Sequence, residues 1–125
     1  MKFSVVQIAR FTLALSWIYH GLFPKLLTVA PLEKALTATL GFSEEYSYLV
    51  TKVAGVSEII FGLVILVFYR RKWILYTNVF ALVGLCSYVA FAMPSLLIEA
   101  FNPVTTNGAL IALSFVLHTH SRHCE

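Results

Sequence analysis

Charged residues are scarce in this chain, because Asp, Glu, Lys and Arg together make up only 12% of its 125 residues. An ordinary soluble domain contains about 25% charged residues. Hydrophobic residues make up 59% of the chain, and its mean hydropathy is +0.83. A soluble core of this size could not bury so much apolar surface, whereas lipid can accommodate it. We therefore expect an integral membrane protein that forms one domain over residues 1–125.

Cysteine is also scarce, and the two cysteines, Cys86 and Cys124, form no C-x-x-C pair. This argues against a disulfide framework and against a thiol–disulfide enzyme, and we expect Cys86 to be a small packing residue. The sequence contains no phosphate loop, nucleophile elbow, haem-attachment motif or nucleotide fingerprint. The histidine-rich tail, residues 118–125, has no second ligand cluster, so we predict no metal site.

Four apolar segments approach the length of about 20 residues that a membrane-spanning helix needs. They comprise residues 3–23, 44–69, 73–93 and 103–118. Ser43 and Asn102 are typical N-caps for the second and fourth segments, and Pro24 is expected to end the first. Leucines at 32, 36 and 40 share one face of a short helix over residues 31–41. The predicted fold is all-α, an integral membrane four-helix bundle with a short interfacial helix in the first outer loop.

A basic turn of Arg70, Arg71 and Lys72 connects the second and third segments. Cytoplasmic loops contain an excess of Lys and Arg, so we expect this turn on the cytoplasmic side of an inner membrane. An even number of spans then places both termini in the cytoplasm. The basic residues lie at span ends and the net charge is only +3, which argues against a nucleic-acid partner.

Glu58 is an acidic residue in the middle of the second apolar segment. A charged side chain there costs about 2.5–3.5 kcal/mol on insertion scales, so it needs a partner, a proton or water. Counted from the cytoplasmic helix ends, Arg10 lies about 10 Å deep and Glu58 about 16 Å deep. We therefore predict a buried pair of Arg10 and Glu58. Two interpretations stay open: an ion pair that fixes helix register, or a carboxylate that binds a ligand or relays a proton.

The outer ends of the segments contain further candidates. His20 titrates near neutral pH, so it could pass a proton or donate a hydrogen bond to a quinone-like carbonyl. Lys25 and Lys52 are interpreted as cations that extend toward the membrane surface. Asn102 opens the fourth segment, where it serves as a helix cap or lines a carbonyl or anion site. We expect His20, Lys25 and Asn102 to line the outer mouth of a pocket centred on Glu58 and Arg10.

Three blocks of sequence resemble a known family. They are WIYHGLFPKL at residues 17–26, AGVSEIIFG at residues 54–62 and FNPVT at residues 101–105. Their order and spacing, over nearly the whole chain, resemble the DoxX-like family of small bacterial membrane proteins. The resemblance implies four transmembrane helices and a link to redox metabolism, since the family name comes from a subunit associated with thiosulfate:quinone oxidoreduction. It also implies that Arg10, Lys25 and Glu58 correspond to the family's Arg, Lys and Glu.

The expected function is that of a small inner-membrane accessory subunit of a redox system, with a quinone-like or other small amphipathic ligand. If the chain takes part in catalysis, it does so as a subunit of a quinone-linked membrane oxidoreductase. No covalently bound cofactor is expected, and the expected partners are membrane lipid and a redox protein or further copies of the chain. The alternatives are a non-enzymatic scaffold with a purely structural ion pair, and a transporter or channel subunit that would have to oligomerise.

Overall fold

The computed structural model describes residues 2–122, and all regular secondary structure within that range is helical. The α-helices are α1 (Val5–Gly21), α2 (Pro31–Ala38), α3 (Glu44–Phe68), α4 (Lys72–Ala92) and α5 (Pro103–Arg122). A π-helical segment, Leu22–Leu27, follows α1, and a short 3₁₀ segment, Pro94–Ile98, follows α4. The predicted all-α class is therefore confirmed for the described residues. His123, Cys124 and Glu125 of the histidine-rich tail lie outside them.

The predicted N-caps of α3 and α5 are confirmed. The Ser43 hydroxyl accepts a hydrogen bond from the Tyr46 amide at 3.4 Å. The Asn102 side-chain oxygen accepts one from the Thr105 amide at 3.1 Å. Each bond satisfies one of the backbone donors that the first turn of a helix leaves without a partner.

The end of α1 differs from the expected stop at Pro24, because the backbone continues as the π-helical segment. Proline has no amide hydrogen to donate, so the α-helical ladder cannot continue through Pro24. Wider hydrogen bonds replace it, as in the bond from the Thr28 amide to the Phe23 carbonyl at 3.3 Å. This segment places Lys25 beyond the regular part of α1.

Two helices of the described residues, α3 and α4, are long and apolar enough to cross a membrane. Only 22% and 28% of their most apolar stretches is buried, unlike the core helix of a soluble protein. On α4, for example, Phe80 and Phe91 are 81% and 90% exposed. Such surfaces support the membrane character of the protein. Crossing by α1 and α5, and therefore the count of four spans, stays a prediction.

The chain divides into two compact units. Unit A comprises residues 14–63, which include most of α1, all of α2 and the larger part of α3. Unit B comprises residues 1–13 and 64–125, which include α4 and α5.

In unit A, glycines allow the backbones of α1 and α3 to touch. A Cβ atom added to Gly55 would lie 2.8 Å from the Gly21 carbonyl oxygen. One added to Gly62 would lie 2.8 Å from the Ala14 carbonyl oxygen. Any larger residue at either position would push the helices apart, as expected for small residues at a close crossing of membrane helices.

In unit B, neutral polar side chains connect α4 to α5. The Asn78 amide donates a hydrogen bond to the Ser114 hydroxyl at 2.5 Å, and both residues are fully buried. The Asn107 amide donates to the Leu82 carbonyl at 3.3 Å, and half-buried Cys86 donates to the Pro103 carbonyl at 3.5 Å. Asn78 therefore links two helices, as polar side chains often do between membrane helices.

Candidate functional site

Unit A contains a cluster of three charged side chains, Lys25, Glu33 and Glu58, called here the Lys25 cluster. The Lys25 ammonium lies 3.1 Å from each carboxylate oxygen of Glu58 and 3.1 Å from Oε1 of Glu33. The three side chains are 12%, 21% and 18% exposed, in the order Lys25, Glu33, Glu58. One cation thus bridges two largely shielded carboxylates from different helices.

The close crossing of α1 and α3 positions Lys25. A Cβ atom on Gly55 would lie only 2.9 Å from the Cβ atom of Lys25, so the lysine backbone passes directly over that glycine. Glu58 follows Gly55 by three residues and shares its helix face. The lysine side chain therefore reaches the carboxylate across less than one helical turn.

The predicted pair of Arg10 and Glu58 is not shown, because among the described residues the ion pair of Glu58 is with Lys25. Arg10 belongs to unit B, where its Nε donates to the Leu66 carbonyl at 2.7 Å. It also donates to the Gln7 side chain at 3.1 Å, and its guanidinium lies 4.4 Å from the Tyr69 ring centre.

A physical reason for this difference lies at the end of α3. Leu66 lies in the last turn of α3. The backbone carbonyl groups of a last turn receive no hydrogen bond from an amide of the same helix. A cation is favoured at such a C-terminus by the helix dipole, and an arginine satisfies the free lone pairs of these carbonyls. Depth counting placed Arg10 near Glu58 along the membrane normal and could not reveal this competing acceptor.

In unit A, Lys52 binds a backbone carbonyl group near the end of a helical segment, as Arg10 does in unit B. Its ammonium donates to the carbonyl of Leu26, near the end of the π-helical segment, and lies 5.0 Å from the Tyr48 ring centre. Both ammonium groups thus bind partners within unit A, and the interpretation of Lys25 and Lys52 as cations that extend toward the membrane surface stays a prediction.

His20 is exposed, and its ring lies edge-on to that of Tyr19, with 6.3 Å between the ring centres. It is within electrostatic range of Lys25 and Glu33, so it belongs to the surroundings of the Lys25 cluster. Asn102 belongs to unit B, where its side-chain amide donates to the Glu99 carbonyl at 2.9 Å while its oxygen caps α5. The structure thus brings Lys25 and Glu58 together with His20 nearby, whereas Arg10 and Asn102 have other partners.

Glu33 is the member of the cluster that sequence reasoning missed. Glu33 lies in the first turn of α2, where the helix dipole favours an acidic residue. This local role explains the residue without any contact with Lys25. The available signal was the short connection between Leu27 and Pro31, which forces α2 to begin beside the end of the preceding segment. A carboxylate early in α2 must then lie close to Lys25.

The Lys25 cluster has more negative than positive charge when all three groups are ionised. One ammonium cannot neutralise two carboxylates, so the cluster has an excess charge of one. A shielded site of this kind can accept a proton, or a hydrogen bond from a hydroxyl group, at either carboxylate. The ammonium can in turn donate to a ligand carbonyl oxygen. If α3 crosses a membrane, this cluster would be of a kind that often marks a functional site.

A groove of about 280 Å³ is present elsewhere in unit A. It is lined by Lys34, Ala38, Phe42, Glu44, Ser47 and Tyr48. Neither Glu58 nor Lys25 is among its lining residues. The groove is therefore a feature separate from the Lys25 cluster.

Comparison with known proteins identifies one matching family. A model of the DoxX-like family matches residues 14–115, which cover most of the chain and include both carboxylates of the cluster and its lysine. Comparisons with curated proteins and with solved structures find no significant match.

Proposed function

Because this chain belongs to the DoxX-like family, we propose that it is a small multi-pass subunit of the bacterial inner membrane that assists a redox system. In this proposal four helices cross the membrane and both termini are cytoplasmic. A quinone-like or other small amphipathic ligand binds at the Lys25 cluster, with His20 at its edge. Electrons come from a partner protein, since the sequence contains no motif for a redox cofactor.

The sharing of one ammonium by two carboxylates is the observation that supports the ligand. A ligand carbonyl can accept a hydrogen bond from the Lys25 ammonium, and a ligand hydroxyl can donate one to Glu58 or Glu33. A quinone and its reduced form present these two groups in turn. When a ligand carbonyl replaces one carboxylate at Lys25, the lysine stays paired with the other carboxylate, and a ligand hydroxyl can donate a hydrogen bond to the displaced one.

The pairing of Glu58 also favours a second candidate function, that of a membrane scaffold. Both oxygens of Glu58 contact the same ammonium group, and the α1–α3 crossing holds that geometry. A fully paired carboxylate can simply fix helix register. In that case the cluster stabilises a surface that binds a partner, and no ligand is needed.

The two functions differ in the effect of Glu58→Gln. This change keeps the side-chain size and removes the charge that a ligand hydroxyl would meet. The matched control is Glu45→Gln, which alters an exposed carboxylate in the first turn of the same helix. Wild type and both variants are purified in mild detergent, and their lipid extracts are analysed by mass spectrometry and absorbance, alongside thermal unfolding.

The ligand proposal predicts a co-purified quinone-like compound in wild type and in Glu45→Gln. It predicts at least about tenfold less in Glu58→Gln, as expected for loss of a charge-assisted hydrogen bond. A variant that unfolds at lower temperature while the extracts of all three proteins are alike would instead establish the scaffold function.

A further inference from the structure

The groove in unit A lies between α2 and the first turns of α3. α2 contributes Lys34 and Ala38, and the connecting segment contributes Phe42. α3 contributes Glu44, Ser47 and Tyr48. The lining thus combines one cation, one anion, a hydroxyl group and two aromatic rings.

Three polar side chains of the groove, those of Lys34, Glu44 and Ser47, have no partners among the side chains described for residues 2–120. Lys34 and Glu44 have opposite charges, yet neither forms an ion pair there. Ser47 is only 6% exposed, and no hydrogen bond to or from its hydroxyl is formed within the same range. A buried hydroxyl without a partner costs free energy, so a polar atom from outside the chain would stabilise it.

The groove also lies at a definite depth relative to a membrane crossed by α3. That helix has 25 residues, so its length of about 37 Å exceeds a hydrocarbon core of about 30 Å. Because this excess length is divided between the two ends, the start of α3 would lie near the boundary between hydrocarbon and lipid headgroups. The tyrosines at 46 and 48 fit this depth, because aromatic residues concentrate at membrane interfaces.

We propose that this groove binds the headgroup of a zwitterionic phospholipid with a primary amine, such as phosphatidylethanolamine. Lys34 contacts the lipid phosphate, and Glu44 contacts the lipid ammonium. The Ser47 hydroxyl donates to a phosphate or ester oxygen, and Phe42 contacts the glycerol end of the acyl chains. The proposal goes beyond the redox function and does not depend on the Lys25 cluster.

Charge complementarity selects this lipid over an anionic one. The groove contains one positive and one negative side chain, which match the two charges of a zwitterionic headgroup. The headgroup of phosphatidylglycerol also offers a phosphate to Lys34, but it has no cation for Glu44. Its glycerol hydroxyl groups are uncharged, so Glu44 gains no ion pair and the phosphate charge is not offset near that carboxylate.

Adjacent glutamates provide a matched test. Glu44 and Glu45 are both exposed in the first turn of α3, but only Glu44 lines the groove. Delipidated protein in detergent is mixed with equal amounts of phosphatidylethanolamine and phosphatidylglycerol, and bound lipid is counted by native mass spectrometry. Glu44→Gln and Glu45→Gln are compared with wild type, and Lys34→Gln is compared with Lys72→Gln.

Wild type is expected to retain more phosphatidylethanolamine than phosphatidylglycerol, by about three- to fivefold, the effect of one exposed ion pair. Glu44→Gln should abolish this preference, whereas Glu45→Gln should keep it. Lys34→Gln should weaken the binding of both lipids, because both contain a phosphate. Lys72→Gln should weaken the binding of neither. Equal retention of the two lipids by wild type, or equal effects of the two glutamate variants, would overturn the proposal.

Discussion

Neutral polar side chains connect α4 to α5 in unit B, whereas in unit A one largely shielded ammonium is shared by two carboxylates. In unit B, Asn78 donates to Ser114, and the Ser114 hydroxyl donates onward to the Leu110 carbonyl at 3.1 Å. In unit A, Lys25 binds both Glu33 and Glu58. Neutral pairs leave no charge to exchange, so they serve packing, while the shared ammonium leaves a carboxylate that a ligand or proton can use.

Removal of the shared cation should produce the largest effect. Lys25→Met leaves two shielded carboxylates close together without a counter-ion, which should lower the free energy of unfolding by about 3–5 kcal/mol. Thermal unfolding in detergent measures the loss. Lys72→Met, at the exposed start of α4, is the control and should change little. A small loss for Lys25→Met would contradict the shielding of the cluster, because it would mean that water already solvates the two carboxylates.

The second effect tests the crossing that positions Lys25. Gly55→Ala adds a Cβ atom 2.8 Å from the Gly21 carbonyl oxygen and 2.9 Å from the Cβ atom of Lys25. Overpacking of this kind should cost about 1–3 kcal/mol. Gly84→Ala is the matched control, because a Cβ atom there meets nothing within 4 Å and alanine favours the helix. Equal unfolding temperatures for the two variants would contradict the close crossing.

The smallest effect is expected in unit B. Asn78→Leu removes the hydrogen bond to Ser114, but the serine hydroxyl keeps its bond to the Leu110 carbonyl. The loss should therefore be about 0.6–1.7 kcal/mol, the range for hydrogen bonds between membrane helices. Thr77→Val on the same helix is the control, since its hydroxyl bonds only the backbone of its own helix. If Asn78→Leu lowered the free energy of unfolding as much as Lys25→Met, the proposed difference between the two units would be contradicted.

Much of the fold could be predicted because its signals are local. The apolar segment at residues 44–69 became α3, Glu44–Phe68, and that at residues 73–93 became α4, Lys72–Ala92. Caps such as Ser43 and Asn102 depend only on residues a few positions away. The π-helical segment at Leu22–Leu27 could not be foreseen, because Pro24 shows only that the α-helix must stop there.

The partner of Glu58 could not be predicted, because depth along a helix says nothing about which faces meet. Arg10 was predicted to lie at nearly the same depth as Glu58, but it donates a hydrogen bond to the Leu66 carbonyl at the end of α3 instead. Lys25 lies beyond the regular part of α1, and only the contact of Gly21 with Gly55 brings it onto Glu58. The role of Glu33 depends likewise on where α2 folds back, which the sequence indicates only through a short connection.

The bound-ligand content of two variants, measured side by side, tests the central claim that the Lys25 cluster is a binding site while the unit B pairs are structural. Glu58→Gln and Asn78→Leu are purified with wild type, and quinone-like compounds are quantified per mole of protein. We predict that Asn78→Leu keeps the ligand at the wild-type level and that Glu58→Gln loses it at least about tenfold. Equal ligand content in the two variants, or none in wild type, would contradict the account.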